Sequence, residues 1–454
     1  MDSDTTSALD IKAIDSEAGV EGDINLAQTY DIVERDTVPA PTPEVGSSPK
    51  ERIDRIVQWL QPTDFLSPGN EFMKHLHSYV PGTARWAHES GPFRAWMGLL
   101  DDDDEGHEAA ASGKGRHTHC CLHMRGVAGS GKSVFAASTV RQLQESGPGN
   151  VVLFFFFRQI VDKNHTARYL VRDFAAQLLP HSPALLAALT TLSQEDAVRG
   201  NELSLVWPAL VEALRKDEGL RGRVFCVVDA LDEMDDGELD GMLTKLVALG
   251  TAEPTVARVI MTSRPLPRIE QALNHPGVAR LRIDLALSYP DVARYVDARI
   301  ATLEIPLSTD KNELVKQTIC ERANGLFLHA RLMADNLVEG LLDGRITPDT
   351  LPNSLDCLPS TLYDVYEDML KEHASRSGVT AEQQANILMC VTHASRPLRL
   401  IELGSLLAWM LHVDLRGGKD LVRRGCGRLL ELLEDETVSV IHHSFTEFLQ
   451  TRVG

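Results

Sequence analysis

The sequence lacks long apolar runs and is short of basic residues, and both shortages exclude classes of protein. Its 454 residues include 45 Lys plus Arg against 65 Asp plus Glu, a formal net charge of −20. A general nucleic-acid binder or a protein that docks on anionic lipid needs a cationic surface instead. The longest evident apolar run, Val151 to Phe157, is strand-sized and far from the ~18 residues of a membrane span. We therefore expect neither nucleic acid nor a membrane as a partner.

The sequence also lacks a signal-peptide pattern and a cysteine framework. Its first ten residues, MDSDTTSALD, are acidic and hold no apolar stretch of the kind that a secretory signal needs. The seven cysteines are odd in number and irregularly spaced, which is typical of reduced thiols. These features predict a cytoplasmic protein. The length allows about three domains, and 43% apolar residues are enough to bury a sizeable core.

Composition divides the first quarter of the chain into three segments. Residues 1–49 hold 11 acidic and 2 basic residues, so they cannot bury enough apolar area to offset the entropy of ordering. They are expected to form a disordered acidic leader, and a short partner-binding motif between residues 10 and 36 is the alternative. Residues 50–100 carry apolar residues at helical spacing and predict a helical lead-in. The run 101–116, rich in Asp and small residues, predicts an acidic linker.

From residue 117 to 287, short apolar runs alternate with amphipathic stretches. Continuous apolar runs indicate strands that are buried on both faces, and their alternation with helices indicates parallel βαβ units. The pattern predicts an α/β nucleotide-binding domain, a P-loop NTPase parallel sheet with helices on both faces. The strands are expected at 120–124, 151–157, 224–228, 259–262 and 281–285. Among the expected helices, one begins at Pro208, because proline suits the first position of a helix.

The strand pattern stops after residue 287. Residues 288–375 predict a helical domain, with one long helical stretch over 311–342. Residues 376–454 predict a winged-helix domain, with helices at 382–392, 400–411 and 421–433 and a strand-like run at 438–445. The helix at 400–411 is apolar and carries neither Arg nor Lys, so we expect it to pack against protein instead of entering a DNA groove.

The strongest motif is GVAGSGKS, residues 126–133, which matches the P-loop (Walker A) pattern G-x-x-x-x-G-K-[ST] in full. An apolar run precedes it and a helix-compatible stretch follows it, as the pattern requires. Glycines let consecutive backbone N–H groups point inward and bind phosphate, Lys132 adds a point charge, and Ser133 offers a hydroxyl to Mg²⁺. The predicted nucleotide-binding residues are Gly126, Gly129, Ser130, Gly131, Lys132 and Ser133 of this motif and Val134, which follows it.

Carboxylates follow a second apolar strand, as a magnesium-dependent P-loop site requires. In VFCVVDALDE (224–233), Asp229 ends the run and is expected to hold Mg²⁺ together with Ser133 (Walker B). Either Asp232 or Glu233 is expected to orient or deprotonate the attacking water. The next strand ends at Ser263 and Arg264, and this arginine is predicted to sense the γ-phosphate or to stabilise charge in the transition state.

Taken together, these motifs resemble the fungal NACHT-type proteins, which are signal-transduction ATPases with numerous domains (STAND) and carry a nephrocystin-like N-terminal NTPase domain. The resemblance rests on GVAGSGKS, VVDALDE and MTSRP, followed by ANGLFLHARLMADNL (323–337). Downstream, LPSTLYDVYEDML (358–370), RPLRLIEL (396–403) and VSVIHHSFTEFL (438–449) resemble the helical and winged-helix segments of the family. Family members usually continue into sensor repeats, which do not follow the winged-helix segment in this sequence.

The resemblance implies a switch in signalling or in responses of the incompatibility type. In that family, an ADP-bound resting form opens on exchange to ATP, self-associates, and returns by slow hydrolysis. A winged-helix histidine contacts the ADP phosphate, and the corresponding position here is His442, with His443 less favoured. Two alternatives stay open: a catalytically silent scaffold that holds nucleotide permanently, and a switch that uses GTP. The N-K-x-D signature of small GTPases is absent, which favours ATP.

Overall fold

The computed structural model describes residues 48–99, 119–159, 163–194, 202–303, 307–394, 396–425, 429–432 and 436–453. The predicted linker at 101–116 and all but the last two residues of the predicted leader at 1–49 lie outside these residues. None of the described helices is long and apolar enough to cross a membrane.

Four short helices form the lead-in: α1 (Pro49–Leu60), α2 (Glu71–His77), α3 (Arg85–His88) and α4 (Gly91–Met97). The first begins with a capping box in which the Ser48 hydroxyl accepts from the Glu51 amide and the Glu51 carboxylate accepts from the Ser48 amide. Aromatic residues of α2 and α4, including the fully buried Trp96, pack against one face of the central sheet. The lead-in is therefore part of the core that supports the P-loop.

A five-stranded parallel sheet forms the centre of the next segment, in the order β2-β3-β4-β1-β5. Its strands are β1 (Cys121–Arg125), β2 (Val151–Phe156), β3 (Val224–Asp229), β4 (Arg258–Ser263) and β5 (Val278–Arg282). Helices α5 (Lys132–Ser146), α6 (Ala167–Leu178), α7 (Pro183–Gln194), α8 (Glu202–Lys216), α9 (Leu239–Gly250) and α10 (Pro267–Ala272) alternate with the strands. Successive residues of the inner strands enter apolar clusters on opposite faces of the sheet. The predicted α/β fold is confirmed.

Several predicted details of this segment are wrong. Pro208 lies inside α8, which begins two turns earlier at Glu202, because the apolar face of that helix extends upstream of the proline. The last strand ends at Arg282, whereas the apolar run suggested 281–285. Helix α7 was not predicted, because its small and apolar residues have no clear helical period.

The helices after the sheet are α11 (Tyr289–Ile300), α12 (Thr309–Ala323), α13 (Phe327–Leu342), α14 (Leu351–Asp356) and α15 (Leu362–Ser377). The long helical stretch predicted at 311–342 is two helices, because Asn324 and Gly325 both adopt positive φ angles of 47° and 77° between them. A Cβ at Gly325 would approach the backbone of Leu285, so this turn is held against the end of the sheet domain. The turn thereby directs the beginning of α13 toward the P-loop.

The C-terminal segment is a winged helix, as predicted. It contains α16 (Ala381–His393), β6 (Leu398–Arg399), α17 (Leu400–Leu411), α18 (Leu415–Gly425), β7 (Leu430–Leu432), β8 (Thr437–Val440) and α19 (His443–Val453), with antiparallel strands in the order β6-β8-β7. The helix expected at 421–433 is wrong, since α18 ends at Gly425 and β7 follows. The strand expected at 438–445 ends at Val440, where α19 soon begins. One apolar cluster joins this segment to α11–α15.

Candidate nucleotide-binding site

The P-loop connects the end of β1 to the beginning of α5. Gly129 and Gly131 have φ angles of 71° and 94°, which residues with a Cβ rarely adopt. The ammonium of Lys132 turns back over the loop and donates to the carbonyls of Gly126 and Val127 at 2.8 and 2.9 Å. The loop is thereby shaped as a cradle with its lysine at the rim.

The predicted loop residues from Gly129 to Val134 all line one pocket. Gly126 lies at the base of the loop, where its amide donates to the carbonyl of Ser263. The hydroxyl of Ser130 is buried without a hydrogen-bond partner among the described residues. A buried hydroxyl without a partner is costly, so its position in the pocket wall fits a polar ligand.

Asp229 ends β3 beside the P-loop. It is 1% exposed, its carboxylate accepts from the hydroxyl of Thr262 at 2.5 Å, and the hydroxyl of Ser133 lies near enough to lower its pKa. Burial raises the pKa of Asp229 above its ordinary value. The two predicted metal ligands, Ser133 and Asp229, therefore lie near each other on neighbouring elements.

Asp232 and Glu233 follow in a short turn and differ in their surroundings. Asp232 accepts from the backbone amide of Arg264 at 2.8 Å and from its Nε at 2.6 Å. The Glu233 carboxylate accepts from the amide of Gln159 at 3.2 Å. Burial, with a further contribution from Asp232, raises the pKa of Glu233 to about 7. Both carboxylates and Arg264 line the same pocket as the P-loop.

The winged helix contributes to this pocket through His442. The backbone N–H of Ser444 donates to His442 Nδ1 at 3.1 Å, so a neutral ring carries its proton on Nε2. The Ser444 hydroxyl, 2.7 Å from Nδ1, also contacts the buried Tyr366 hydroxyl at 2.8 Å. The contacts of Ser444 with Nδ1 thus fix the orientation of the His442 ring. His443 is the first residue of α19.

Two family models match the chain. Residues 82–264 match the model described as nephrocystin 3, N-terminal, and residues 371–452 match the model described as the winged-helix domain of GPI inositol-deacylase. Among curated proteins, the chain is 26% identical over 339 residues to the vegetative incompatibility protein HET-E-1 of Podospora anserina. The aligned part is 72% of this chain and 24% of that protein, so the chain spans about a quarter of its relative's length.

This chain is similar to NACHT-type P-loop NTPases. Among solved structures, it is similar to a Walker-type ATPase of Pyrococcus abyssi (12% identity, TM-score 0.34, covering 73% of this chain and 90% of that one). It is also similar to Cdc6p of Pyrobaculum aerophilum (12% identity, TM-score 0.33, covering 73% and 86%).

The apolar end of the pocket was not predicted from the sequence. Residues of the lead-in line the pocket there together with Ile283 and residues of α11 and α13; they include Tyr79, Val80, Thr83, Ala84 and Trp86. Asp291 of α11 accepts from the Ala84 amide at 2.8 Å and from the Trp86 indole at 3.1 Å. This carboxylate links the lead-in to the helices after the sheet, and no motif in the sequence identifies it.

A buried ion cluster beside the pocket was also missed. Arg158, directly after β2, donates from Nη1 to both oxygens of Glu71 at 2.8 and 2.7 Å. Its Nη2 donates to the Ser439 hydroxyl and the Val440 carbonyl of the winged helix, both at 3.2 Å. Arg158 therefore bridges the lead-in, the sheet and the winged helix. Its only sequence signal is its place at the end of an apolar run.

Proposed function

We propose that this protein is a nucleotide-dependent switch that binds ATP or ADP with Mg²⁺ and hydrolyses ATP slowly. The observation that carries the proposal is the shared pocket: the lead-in, the P-loop, the beginning of α13 and His442 all line it. A ligand in that pocket contacts the lead-in, the P-loop, α13 and the winged helix, and a switch must change the relative positions of these segments. Its affinity is thereby linked to the arrangement of the segments.

The phosphate tail of the nucleotide is assigned to the P-loop. The loop amides, the Ser130 hydroxyl and Lys132 supply donors and charge for the β- and γ-phosphates. The base is assigned to the apolar end, between the lead-in and residues such as Ile283 and Tyr295. The chemistry of this end distinguishes purine bases poorly, so GTP remains the second candidate ligand.

The residues present fit a magnesium ion. Hydroxyl and carboxylate oxygens are the ligands that Mg²⁺ prefers, and Ser133 and Asp229 place one of each near the other beside the loop. The bound ion supplies positive charge to the phosphate oxygens. Asp229 is held for this role by the Thr262 hydroxyl, so it does not need to reorient.

Among the two carboxylates after Asp229, we assign the proton-accepting role to Glu233. Asp232 is occupied by Arg264, whereas Glu233 lines the pocket and has a pKa of about 7, close to the value that favours general base catalysis at neutral pH. Asp232 then positions Arg264 toward the terminal phosphate.

His442 is assigned to the diphosphate-bound state, in which its Nε2–H donates to a phosphate oxygen and keeps the winged helix closed. Opening of this contact on exchange to ATP leads to self-association. The unit boundaries proposed for this switch are 117–287, 288–375 and 376–454. Because the curated relative is named for vegetative incompatibility, we propose a signalling role of that kind in the cytoplasm of a fungus.

The first experiment measures nucleotide binding with Lys132→Ala. Loss of the P-loop charge is expected to reduce the affinity for labelled ATP and ADP by at least a hundredfold, about 2.7 kcal/mol. Lys216→Ala, an exposed lysine of α8 outside the pocket, is the control and should bind as wild type. Wild-type affinity in the Lys132 variant would contradict the proposal. Competition between ATP and GTP in the same assay decides the base.

The second experiment separates the switch from a scaffold that never turns over. Any nucleotide bound to the purified protein is removed and identified by chromatography. Phosphate release from added ATP is then measured. We expect bound ADP and slow turnover that Glu233→Gln abolishes. Wild-type turnover equal to that of Glu233→Gln would indicate the scaffold.

His442→Ala is expected to self-associate in light scattering, since it loses the closing contact.

A further inference from the structure

The guanidinium of Arg264 is shared between two carboxylates that belong to different parts of the molecule. Asp232, in the turn after β3, accepts from the backbone amide and the Nε of Arg264. Glu447, in α19 of the winged helix, accepts from Nη1 at 2.7 Å. Arg264 and Asp232 both line the P-loop pocket, so this winged-helix carboxylate is bound to an arginine of the phosphate site.

The two carboxylates that bind Arg264 differ in their exposure and in the part of the molecule to which they belong. Asp232 is 4% exposed in its side chain and belongs to the sheet domain, so it orients the arginine in every arrangement of the segments. Glu447 is 39% exposed and reaches Arg264 only while α19 lies against the sheet. A terminal phosphate beside Asp232 and Glu233 is an anion that needs the same Nη atoms, because a guanidinium binds phosphate and carboxylate through the same donors.

We propose that Glu447 is a specificity-determining residue that makes the pocket favour a nucleoside diphosphate over a triphosphate. It does so by occupying the arginine that a third phosphate requires and by adding a negative charge beside it. A diphosphate, held by the loop amides and Lys132, meets no such competition. The inference rests on the proposed function and adds to it the group that the γ-phosphate must displace.

A second winged-helix glutamate offers a matched control. Glu431 of β7 lies 3.0 Å from Lys74 and 3.4 Å from Arg158, so it too joins the winged helix to the body of the molecule through ion pairs. Arg158, Lys74 and Glu431 do not line the pocket. Neutralising Glu431 therefore weakens the contact between the same parts without changing the charge beside Arg264.

The experiment compares wild type, Glu447→Gln and Glu431→Gln. Each is titrated, with Mg²⁺, with ADP and with a non-hydrolysable ATP analogue, and the ratio of the two dissociation constants is recorded. Glu447→Gln is expected to shift the ratio about tenfold toward the triphosphate, a size that is usual for coupling between two sites. Its ADP affinity should change little. Glu431→Gln should leave the ratio at the wild-type value, because general loosening affects both nucleotides alike.

The outcomes separate this inference from the function on which it rests. An unchanged ratio in Glu447→Gln, with wild-type binding intact, would overturn the role of Glu447 alone. An equal shift in both glutamine variants would also overturn it, since the cause would then be loosening of the winged helix. Wild-type protein that binds neither nucleotide would overturn the proposed function as well. Both substitutions keep the side-chain shape, and a thermal unfolding curve verifies that each variant is folded.

Discussion

At the scale of single residues, three carboxylates within five positions of the chain have three different environments. Asp229 accepts from the Thr262 hydroxyl, Asp232 pairs with Arg264, and Glu233 accepts from one backbone amide at the pocket wall. Sequence spacing alone left Asp232 and Glu233 interchangeable. The ion pair distinguishes them, because Arg264 occupies the Asp232 carboxylate whereas burial raises the pKa of Glu233 to about 7.

The Glu233 pKa makes hydrolysis pH-dependent. Only the ionised carboxylate accepts a proton, and its ionised fraction rises as pH increases through the raised pKa. We expect the rate of phosphate release at saturating ATP to increase about fivefold between pH 6 and 7 and to level off above pH 8. Glu233→Gln should be at least about a hundredfold slower at pH 8 and should not show this rise. Asp236→Asn, an exposed neighbour, should keep the wild-type profile. A flat wild-type profile would contradict the assignment.

At the scale of elements, the contact between the P-loop and α13 depends on a glycine. The amide of Leu328 donates to the carbonyl of Gly129 at 3.0 Å, and a Cβ at Gly129 would lie 2.6 Å from the Leu328 Cβ. This distance is too short for two carbon atoms, so the helix can approach the loop only where the side chain is missing. The P-loop glycine thus serves the packing of a helix about 200 residues away as well as the phosphate site.

Gly129→Ala tests this contact. The substitution adds left-handed strain of about 1 kcal/mol and also pushes against Leu328, so we expect a total loss of about 2–3 kcal/mol in unfolding free energy and weaker nucleotide binding. Gly344→Ala is the matched control, because Gly344 has a similar φ of 75° with no atom near the added Cβ. Equal losses in urea denaturation for both variants, with nucleotide binding intact, would show that α13 does not depend on this approach.

At the scale of the whole molecule, partly buried polar contacts join the winged helix to the sheet domain. Arg158 connects Glu71 of α2 to Ser439 and Val440 of β8, and Arg264 connects Asp232 to Glu447. Both arginines follow parallel strands of the sheet, where carboxyl ends share one edge. The winged helix therefore contacts the same edge that carries the phosphate site, which couples its position to the ligand.

Arg158→Ala is expected to loosen the winged helix. Its removal leaves Glu71, whose side chain is 7% exposed, without its closest positive partner, and breaking such a buried pair costs about 3 kcal/mol. We expect faster proteolysis between the sheet domain and the winged helix, measured by mass spectrometry of the fragments. Arg268→Ala removes exposed pairs with Asp236 and Asp240 and should change stability by less than about 1 kcal/mol. Identical digestion of both variants would contradict this role for Arg158.

The sequence by itself determined the parts of this protein whose chemistry is contiguous. The P-loop, the carboxylates after β3 and Arg264 each follow a buried strand, so a few neighbouring residues specify both the element and its place at the edge of the sheet. The alternation of apolar runs specified the α/β class for the same reason. Helix ends were predicted less well, as at Pro208 and at residues 421–433, because tertiary packing extends or stops a helix without a local signal.

Only the tertiary structure decided which distant residues complete the site. Nothing in the sequence identifies Glu71, Asp291 and Glu447 as residues of the site. Each contacts a residue in or beside the pocket only when its segment packs beside the sheet. The roles of Asp232 and Glu233 were likewise separated by the position of Arg264. The sequence states which side chains can carry a charge. Their hydrogen bonds and desolvation depend on neighbours that the fold places beside them from up to hundreds of positions away.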